Sequence, residues 1–302
     1  MSRIIIIGAS GFSGKHVLKA LLDDGHEVIA IKNKHEVPES SKVRVVPGGI
    51  GSVNHNLVDE VKPELVFHLA RPRLPRLRRA GRVLAAYYAS YLNGNLILEL
   101  KKSEQKPGLI FTSGSLVYGS SPLPLDEDSE MHPASFARQY NKGERPLQKS
   151  METGEYPVMM FRLPWLLGMG SWFEWFYLKP MTVAHSVPLF GKGDNLMDII
   201  DIRDSSRLIL KFALETKSTG NYNIVSGGAV TQLDFANKVS KVFGLPIKDY
   251  RQVFTGRLEK EAIQAFYSNI VLTTKYPEYI KDYHYLDLEE SLRAIRQEYG
   301  RI

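Results

Sequence analysis

The sequence contains no cysteine among its 302 residues. This excludes a disulfide-stabilised scaffold, catalysis by a thiol and zinc sites built on cysteine, and we expect no metal site. A chain without disulfides suits a reducing compartment, so we expect it in the cytoplasm. No apolar run approaches the roughly 20 residues of a membrane-spanning helix, so the sequence predicts no membrane association. The first predicted strand starts at Arg3 and leaves no room for a signal peptide.

The sequence also lacks any recognisable nucleic-acid motif, although its net charge is +6 and its pI about 9.2. Part of the positive charge is concentrated in a short segment that holds Arg71, Arg73, Arg76, Arg78, Arg79 and Arg82. Such a segment is either a solvated surface or a region that attracts an anionic ligand. We therefore expect a small-molecule partner and no nucleic acid.

A strand, a glycine turn and a helix start open the chain. The isoleucines at 4–7 predict a buried parallel strand, and three glycines follow it at intervals of three residues. Residues 15–24 carry apolar side chains at helical spacing, up to Gly25. This combination binds a pyrophosphate through backbone N–H groups and the helix dipole, so we predict a dinucleotide here. The expected contacts are Gly8, Ser10, Gly11, Phe12, Ser13 and Gly14.

The second predicted strand, residues 26–31, lacks an acidic residue at its end. In NAD-binding units a carboxylate at this point accepts hydrogen bonds from the ribose hydroxyls. Here Lys32, Asn33 and Lys34 follow the strand instead. A lysine attracts a 2′-phosphate that a carboxylate would repel, so these residues favour NADP over NAD. The alternative is that both lysines are solvated loop residues.

Strands and helices alternate through the rest of the first half, which favours an α/β fold. Further strands are predicted at 43–46, 64–70, 108–113, 156–163, 199–202 and 222–225. Helices are predicted at 57–61, 80–102, 135–149, 204–215, 233–243 and 287–298. The composition changes at residue 165, where a segment rich in tryptophan, phenylalanine and methionine begins.

Several short motifs occur in a fixed order along the chain. They are Gly8-x-x-Gly11-x-x-Gly14, His68-Leu69-Ala70, Thr112-Ser113-Gly114-Ser115-Leu116-Val117-Tyr118-Gly119, Arg162-Leu163-Pro164, Gly191-x-Gly193, Asp201-Ile202-Arg203-Asp204 and Gly220-Asn221-Tyr222-Asn223-Ile224. Their order and spacing resemble the extended short-chain dehydrogenase/reductase family, which includes nucleotide-sugar epimerases and dehydratases.

The resemblance implies a Rossmann doubly wound parallel sheet with a small C-terminal α/β substrate domain. We assign residues 1–164 to the NAD(P)-binding domain and residues 165–302 mainly to the substrate domain, interleaved with the first. Many relatives pair through two long helices, here about 80–102 and 135–149, which implies a possible homodimer. Further cofactor contacts are expected from Leu69, Ala70, Arg71, Thr112 and Pro164.

The family's catalytic set of Ser/Thr, Tyr and Lys is not present in the expected register. In the family the tyrosine is the acid/base, the lysine lowers its pKa and binds the ribose, and the Ser/Thr polarises the substrate oxygen. A gapless match puts Gly114, Phe136 and Tyr140 at these three positions. The nearest candidates for catalysis are Ser113, Ser115 and Tyr140 itself.

The substrate side departs from the family as well. Nucleotide-sugar members carry an arginine that binds the pyrophosphate of the substrate, and the match puts Met197 there. Tyr118, Trp165 and Trp172 lie in or near an aromatic region that is either core of the smaller domain or an apolar substrate pocket. We take these four residues as candidates for substrate contacts.

Three functions stay open at this point. The first is an atypical NADP-dependent oxidoreductase, or an epimerase-like enzyme, that acts on a small apolar or aromatic substrate. The second is a non-catalytic NADP-binding sensor or structural subunit, as the altered catalytic set suggests. The third is a nucleotide-sugar epimerase or dehydratase.

Overall fold

The computed structural model describes residues 1–33, 35–38, 40–72, 78–133, 137–216, 218–254, 258 and 260–300. The chain divides into two compact units, each made of three segments. The sheet unit consists of Met1–Ser113, Ala137–Arg162 and Ser206–Tyr222, and the second unit consists of Gly114–Phe136, Leu163–Ser205 and Asn223–Ile302. The boundary expected at residue 164 stays a prediction.

The described residues form strands and helices that alternate along the chain. The strands are β1 (Arg3–Ile7), β2 (Glu27–Lys32), β3 (Val43–Pro47), β4 (Leu65–His68), β5 (Gly108–Gly114), β6 (Val158–Leu163), β7 (Trp165–Leu167), β8 (Val187–Leu189), β9 (Leu196–Met197), β10 (Ile199–Asp201), β11 (Gly220–Asn223), β12 (Val230–Thr231) and β13 (Ile247–Asp249). The helices are α1 (Phe12–Asp23), α2 (His55–Val61), α3 (Arg78–Lys102), α4 (Ala137–Glu152), α5 (Lys179–Ala184), α6 (Ile202–Thr216), α7 (Gln232–Phe243), α8 (Tyr250–Val253), α9 (Lys260–Phe266) and α10 (Leu288–Tyr299). None of these helices is long and apolar enough to span a membrane.

A seven-stranded parallel sheet in the order β11-β6-β5-β4-β1-β2-β3 confirms the predicted α/β, doubly wound Rossmann class. Strand β1 pairs with β2 on one side and with β4 on the other, so the strand order reverses at β1. Ligands of such sheets bind at the carboxyl edge beside this reversal. The segments that leave β1 and β4 therefore lie where a cofactor is expected.

The isoleucines of β1 are at most 1% exposed, because helices cover both faces of a parallel sheet. This explains why the strand is an unbroken apolar run rather than an alternating pattern. Helix α1 begins at Phe12, three residues before the predicted start, and therefore includes Gly14. Helices α3 and α4 pack against each other within the sheet unit.

The second unit contains three two-stranded sheets, β7 with β10, β9 with β12, and β8 with β13. Aromatic and aliphatic side chains from α7, α9 and the segment 165–190 form its core. Sequence periodicity did not predict β7, β8 or α5, since these elements have only three to six residues and depend on partners distant in the chain. Helix α7 confirms its prediction, and Thr231 caps it by accepting from the Asp234 N–H.

Candidate functional site

The turn after β1 is so tight that two of its glycines exclude any side chain. Gly8 has φ +92°, and a Cβ there would lie 2.9 Å from the backbone nitrogen of Ala70. A Cβ on Gly14 would lie 2.0 Å from the Gly8 carbonyl oxygen. The Gly14 contact brings the start of α1 against the end of β1, and the Gly8 contact brings the same turn against the segment after β4. The two glycines are therefore required by backbone packing.

Gly11 differs from these two because it is solvent-exposed and less tightly enclosed. Among the described residues, a Cβ built on it would meet the Gly8 carbonyl oxygen, at 3.1 Å, and no second atom within 4 Å. Gly11 is also the N-cap of α1, whose first turn has neither a side-chain cap nor an acidic residue. By contrast, Asn54 caps α2 with its own side chain. The exposed, positive end of α1 is chemically suited to an anion, and the residues present fit the diphosphate of a dinucleotide.

The other predicted contacts of this turn lie beside it. Ser10, Phe12 and Ser13 are half-buried around the start of α1. The Phe12 ring packs edge-on against His16 at 6.1 Å between centroids. Their roles as cofactor contacts stay predictions.

Lys32 ends β2, and its ammonium group lies 2.5 Å from the carboxylate of Glu36. The Lys32 side chain is 27% exposed and that of Glu36 is 86% exposed. Glu36 can therefore leave the ion pair and be solvated while Lys32 stays in place. Asn33 is exposed, and Lys34 lies outside the described residues. The basic end of β2 is therefore present, but part of its charge is neutralised within the chain.

The segment after β4 runs directly beside the glycine turn. The Leu69 N–H donates to the Ile7 carbonyl at 2.9 Å, and the Ala70 backbone lies against Gly8. Thr112 lies on β5 one position beyond the residue paired with the end of β4, and it is half-buried. Three predicted cofactor contacts thus share the carboxyl edge of the sheet with the glycine turn.

Arg71 and Tyr140 form a stacked pair at this edge. The guanidinium carbon of Arg71 lies 3.9 Å from the centroid of the Tyr140 ring. Lys142, two residues further along α4, instead lies over the ring of Tyr87 on α3, at 5.6 Å. The Arg71 cation over the aromatic ring at the family's lysine position therefore comes from the segment after β4.

A buried ion pair fixes the position of α4 against the sheet. Arg162 on β6 donates to the Glu144 carboxylate at 2.6 Å, with the two side chains 1% and 2% exposed. The hydroxyl of Ser113 donates to the other oxygen of the same carboxylate. Each of the three buried groups has a hydrogen-bond partner within the set, which is the condition for burying charge. Since its hydroxyl bonds to Glu144, Ser113 holds α4 in place, and its predicted catalytic role stays untested.

His68 belongs to a second buried network in the sheet unit. Its Nε2 lies 2.7 Å from the Asn93 side-chain oxygen, and Asn93 donates to the Gly143 carbonyl at 2.9 Å. Burial and, to a lesser extent, the charge of Arg71 lower the pKa of His68 to about 4, although the Asn93 hydrogen bond opposes them. The imidazole is therefore neutral at physiological pH and joins β4, α3 and α4.

The structure describes Gly114, at the position of the family's Ser/Thr, but not Phe136, at the position of the family's Tyr. Apart from its two chain neighbours, the described residues place no atom within 4 Å of a Cβ built on Gly114, whose φ of −109° suits any residue. Phe136 lies outside the described residues. In the second unit Ser115 is buried and its carbonyl accepts from the Tyr118 N–H, while the Tyr118 hydroxyl donates to Asn223 at 2.8 Å. Tyr118 thus has a structural hydrogen bond in its own unit.

The other substrate candidates are also in the second unit, together with Pro164, which was predicted as a cofactor contact. Met197 is buried in the aromatic core of this unit, and Pro164 is buried directly after β6. Trp165 and Trp172 are half-buried and meet edge to face at 4.9 Å. The indole N–H of Trp172 has no hydrogen-bond partner among the described residues. Most rings of the segment 165–190 pack on one another, which favours the core interpretation over an apolar pocket.

Sequence reasoning missed the polar groups that organise the site from inside. Asn93 and Glu144 lie on helices, and Arg162 lies within an otherwise apolar strand. Asp198 is buried in the second unit, where it accepts from the Leu272 N–H at 2.9 Å. The available signal was a charged or amide residue within an apolar run, which requires a buried partner.

The same arrangement of strands and helices occurs in solved enzymes. A UDP-glucose 4-epimerase from Thermotoga maritima, solved with UDP-glucose, matches 98% of this chain and 98% of its own chain, with a TM-score of 0.79 and 19% identity. A dTDP-glucose 4,6-dehydratase from Bacillus anthracis, solved with NAD, matches 99% of this chain and 96% of its own, with a TM-score of 0.78 and 17% identity. At these identities the likeness shows the fold alone.

Comparison of sequences leads to a family. A UDP-glucose 4-epimerase of Mycolicibacterium smegmatis is 30% identical over 147 residues, which are 44% of this chain and 46% of that protein. The chain spans about half the length of the first curated relatives that it matches. The profile of the NAD dependent epimerase/dehydratase family matches residues 4–225. With this match and the parallel sheet behind its glycine turn, the chain belongs to the NAD-dependent epimerase/dehydratase family.

Proposed function

We propose that the sheet unit binds a nicotinamide dinucleotide across residues 8–14. The observation that carries this proposal is the uncapped N-terminus of α1, exposed at Gly11 behind a turn whose other glycines are sterically required. The Bacillus anthracis dehydratase, solved with NAD on the same fold, supports this class of ligand. When bound, such a cofactor supplies the hydride chemistry. The chain itself contributes the backbone N–H groups of α1 and the positive charge of Arg71.

For the form of the cofactor we propose NADP. Lys32 stands where a carboxylate would select NAD, and its exposed partner Glu36 can move aside for a phosphate. The relatives solved with NAD leave that form as the alternative. Affinities for the two forms distinguish them directly.

For the reaction we propose an oxidoreduction of the epimerase or dehydratase type on a nucleotide-linked sugar. The epimerases and dehydratase to which the chain is similar favour this substrate class. The apolar-substrate alternative loses support, because most of the aromatic rings that suggested it form the core of the second unit. In this reaction Tyr140 is the candidate of the sheet unit for the altered catalytic set.

A second candidate function is dinucleotide binding without turnover. The specific observation that favours it is Gly114, which supplies no hydroxyl at the position of the family's Ser/Thr. Tyr140 in place of the lysine points the same way. A protein of this kind would bind the cofactor and report its level to a partner.

The first experiment is titration of the purified chain with NADPH, NADP⁺, NADH and NAD⁺, followed by calorimetry and by nicotinamide fluorescence. Saturable binding with one site per chain is expected, with NADPH the tightest ligand. An absence of binding by all four would overturn the proposed function.

The second experiment separates enzyme from binding protein. The chain loaded with oxidised cofactor is mixed with UDP-glucose, UDP-glucuronate or dTDP-glucose, and the nicotinamide absorbance is followed in a single turnover. Reduction of the bound cofactor supports the enzyme. If the native chain is silent and the triple variant Gly114→Ser, Phe136→Tyr, Tyr140→Lys gains turnover, the native protein is a binding member of the family.

A further inference from the structure

Arg71 is the first charged residue beyond the segment that contacts the glycine turn. Leu69 bonds to the end of β1, and the backbone of Ala70 lies against Gly8. The position of Arg71 is thus set by the same backbone that shapes the turn. Its side chain is solvent-exposed, so its charge is accessible to a ligand at the carboxyl edge.

Tyr140 is fixed from the other side by α4. The buried bonds of Glu144, one turn further along the helix, hold α4 to β5 and β6. The carbonyl of Gly143 accepts from Asn93 on α3, which fixes the same turn a second time. Tyr140 therefore has little freedom to move along or around the helix axis.

The Arg71 guanidinium lies over the ring of Tyr140 at 3.9 Å, within the range of an attractive cation–π contact. A guanidinium that contacts a ring through its π system keeps its N–H groups as donors for phosphate or ribose oxygens. A lysine on α4 would offer a charge from the helix itself. In this chain Arg71, which follows β4, supplies the charge, and Tyr140 on α4 supplies a hydroxyl.

We propose that Arg71 and Tyr140 together form a clamp for the nicotinamide-side ribose and the diphosphate of the dinucleotide, in place of a single lysine on α4. The guanidinium supplies the positive charge, and the phenol supplies a hydroxyl for hydrogen bonding. This inference rests on the proposed dinucleotide site. It also explains how the chain keeps a cation at this edge although its helix carries tyrosine at the lysine position.

The test is the dissociation constant of the full chain for NADPH and for AMP, measured for four variants. Arg71→Gln removes the charge, Tyr140→Phe removes the hydroxyl and keeps the ring, and Arg71→Gln/Tyr140→Lys moves the charge back to α4. Lys142→Gln is the matched control, since it removes a cation from the same helix that lies over Tyr87. Thermal unfolding of each variant checks that the fold is intact.

We expect Arg71→Gln to weaken NADPH binding about tenfold, the effect of losing one charge-assisted contact, and to reduce its salt dependence. Tyr140→Phe is expected to weaken it less, and the double variant to recover most of the loss. AMP lacks the nicotinamide-side ribose and the diphosphate, so every variant is expected to bind it with the native affinity. The Lys142→Gln control is expected to bind NADPH with the native affinity.

Three results would overturn the clamp. One is NADPH binding by Arg71→Gln at the affinity of the native chain. The second is an equal loss for AMP and NADPH, which would mean that the pair only stabilises the local fold. The third is a native chain that binds no dinucleotide, which removes the proposed function as well; the first two results leave that function in place.

Discussion

Gly11 is the residue at which helix capping and anion binding compete. An aspartate at this N-cap can accept from the first-turn N–H groups, as Asn54 does in α2. The same carboxylate would repel a diphosphate. Glycine at this position leaves the N–H groups to a ligand at little cost, since a polar cap gains only a few tenths of a kcal/mol over glycine, in rough terms.

We therefore predict that Gly11→Asp leaves the thermal midpoint nearly unchanged and weakens NADPH binding by more than about tenfold, because charge repulsion replaces a charge-assisted bond. Gly11→Asn is the matched control, with the same shape and no charge, and should weaken binding less. Calorimetric titration measures both. Equal affinities for Asp, Asn and native chains would contradict an anion site at α1.

We propose that Lys32 and Glu36 set the preference between NADP and NAD. Because Glu36 competes for the lysine at 2.5 Å, Glu36→Gln should tighten NADPH binding and leave NADH unchanged. Lys32→Asp should make NADH the tighter ligand by roughly tenfold, since the new carboxylate repels the 2′-phosphate and can accept hydrogen bonds from the ribose hydroxyls. The ratio of the two dissociation constants is the measurement. A ratio unmoved by either variant would mean that Lys32 does not contact the cofactor.

At the scale of elements, α3 presents an aromatic stripe to solvent. Leu84, Tyr87, Tyr88 and Tyr91 recur at helical spacing and are 51–64% exposed. Contiguous exposed apolar side chains mark interaction surfaces. The resemblance to the family implies pairing through this helix, and we propose a second copy of the chain as the partner.

The corresponding prediction concerns the molar mass in solution. We expect a dimer by light scattering, and Tyr87→Glu/Tyr91→Glu should convert it into a monomer because buried, unpaired charge opposes association. Leu123→Glu, at a position 71% exposed in the second unit, is the control and should leave the dimer intact. A native monomer would contradict the prediction.

At the scale of the whole molecule, the two units respond to acid in opposite directions. His68 in the sheet unit has a pKa of about 4, below its ordinary 6.5. The unfolded chain therefore takes up this proton first, and the stability that His68 contributes is lost as the pH falls from 6.5 to 4. Burial raises the pKa of Asp198 in the second unit from 3.8 to about 6. Its contribution is lost as the pH rises through that range.

We predict that His68→Gln increases the stability of the sheet unit at pH 4.5 relative to the native chain, since a glutamine amide can still donate to Asn93. Asp198→Asn should increase the stability of the second unit at pH 7 and keep the bond from Leu272. Each effect is bounded by about 1.4 kcal/mol per pH unit, the linkage of one proton. Denaturant unfolding between pH 4.5 and 7 measures them, and parallel pH profiles for native and variant chains would contradict the assignment.

The local sequence determined those elements whose conformation depends on neighbours in the chain. A run of β-branched isoleucines favours a buried strand, and Gly8 and Gly14 have to be glycine because the backbones approach so closely there. Strand and helix periods are set by neighbours in the chain, so β1, the glycine turn and α1 were predictable. The replacement at Gly114 was visible in the same way, since it lies within a motif of fixed spacing.

Only the tertiary structure decided which polar groups meet. Ser113, Glu144 and Arg162 are separated by 31 and 18 residues, and the bonds among them occupy a serine that sequence alone made a catalytic candidate. The contact of Arg71 with Tyr140 likewise joins the segment after β4 to helix α4. Periodicity does not encode such pairs, because they depend on how elements pack after they form. For the same physical reason the aromatic segment 165–190 became core of the second unit, which its composition alone left undecided.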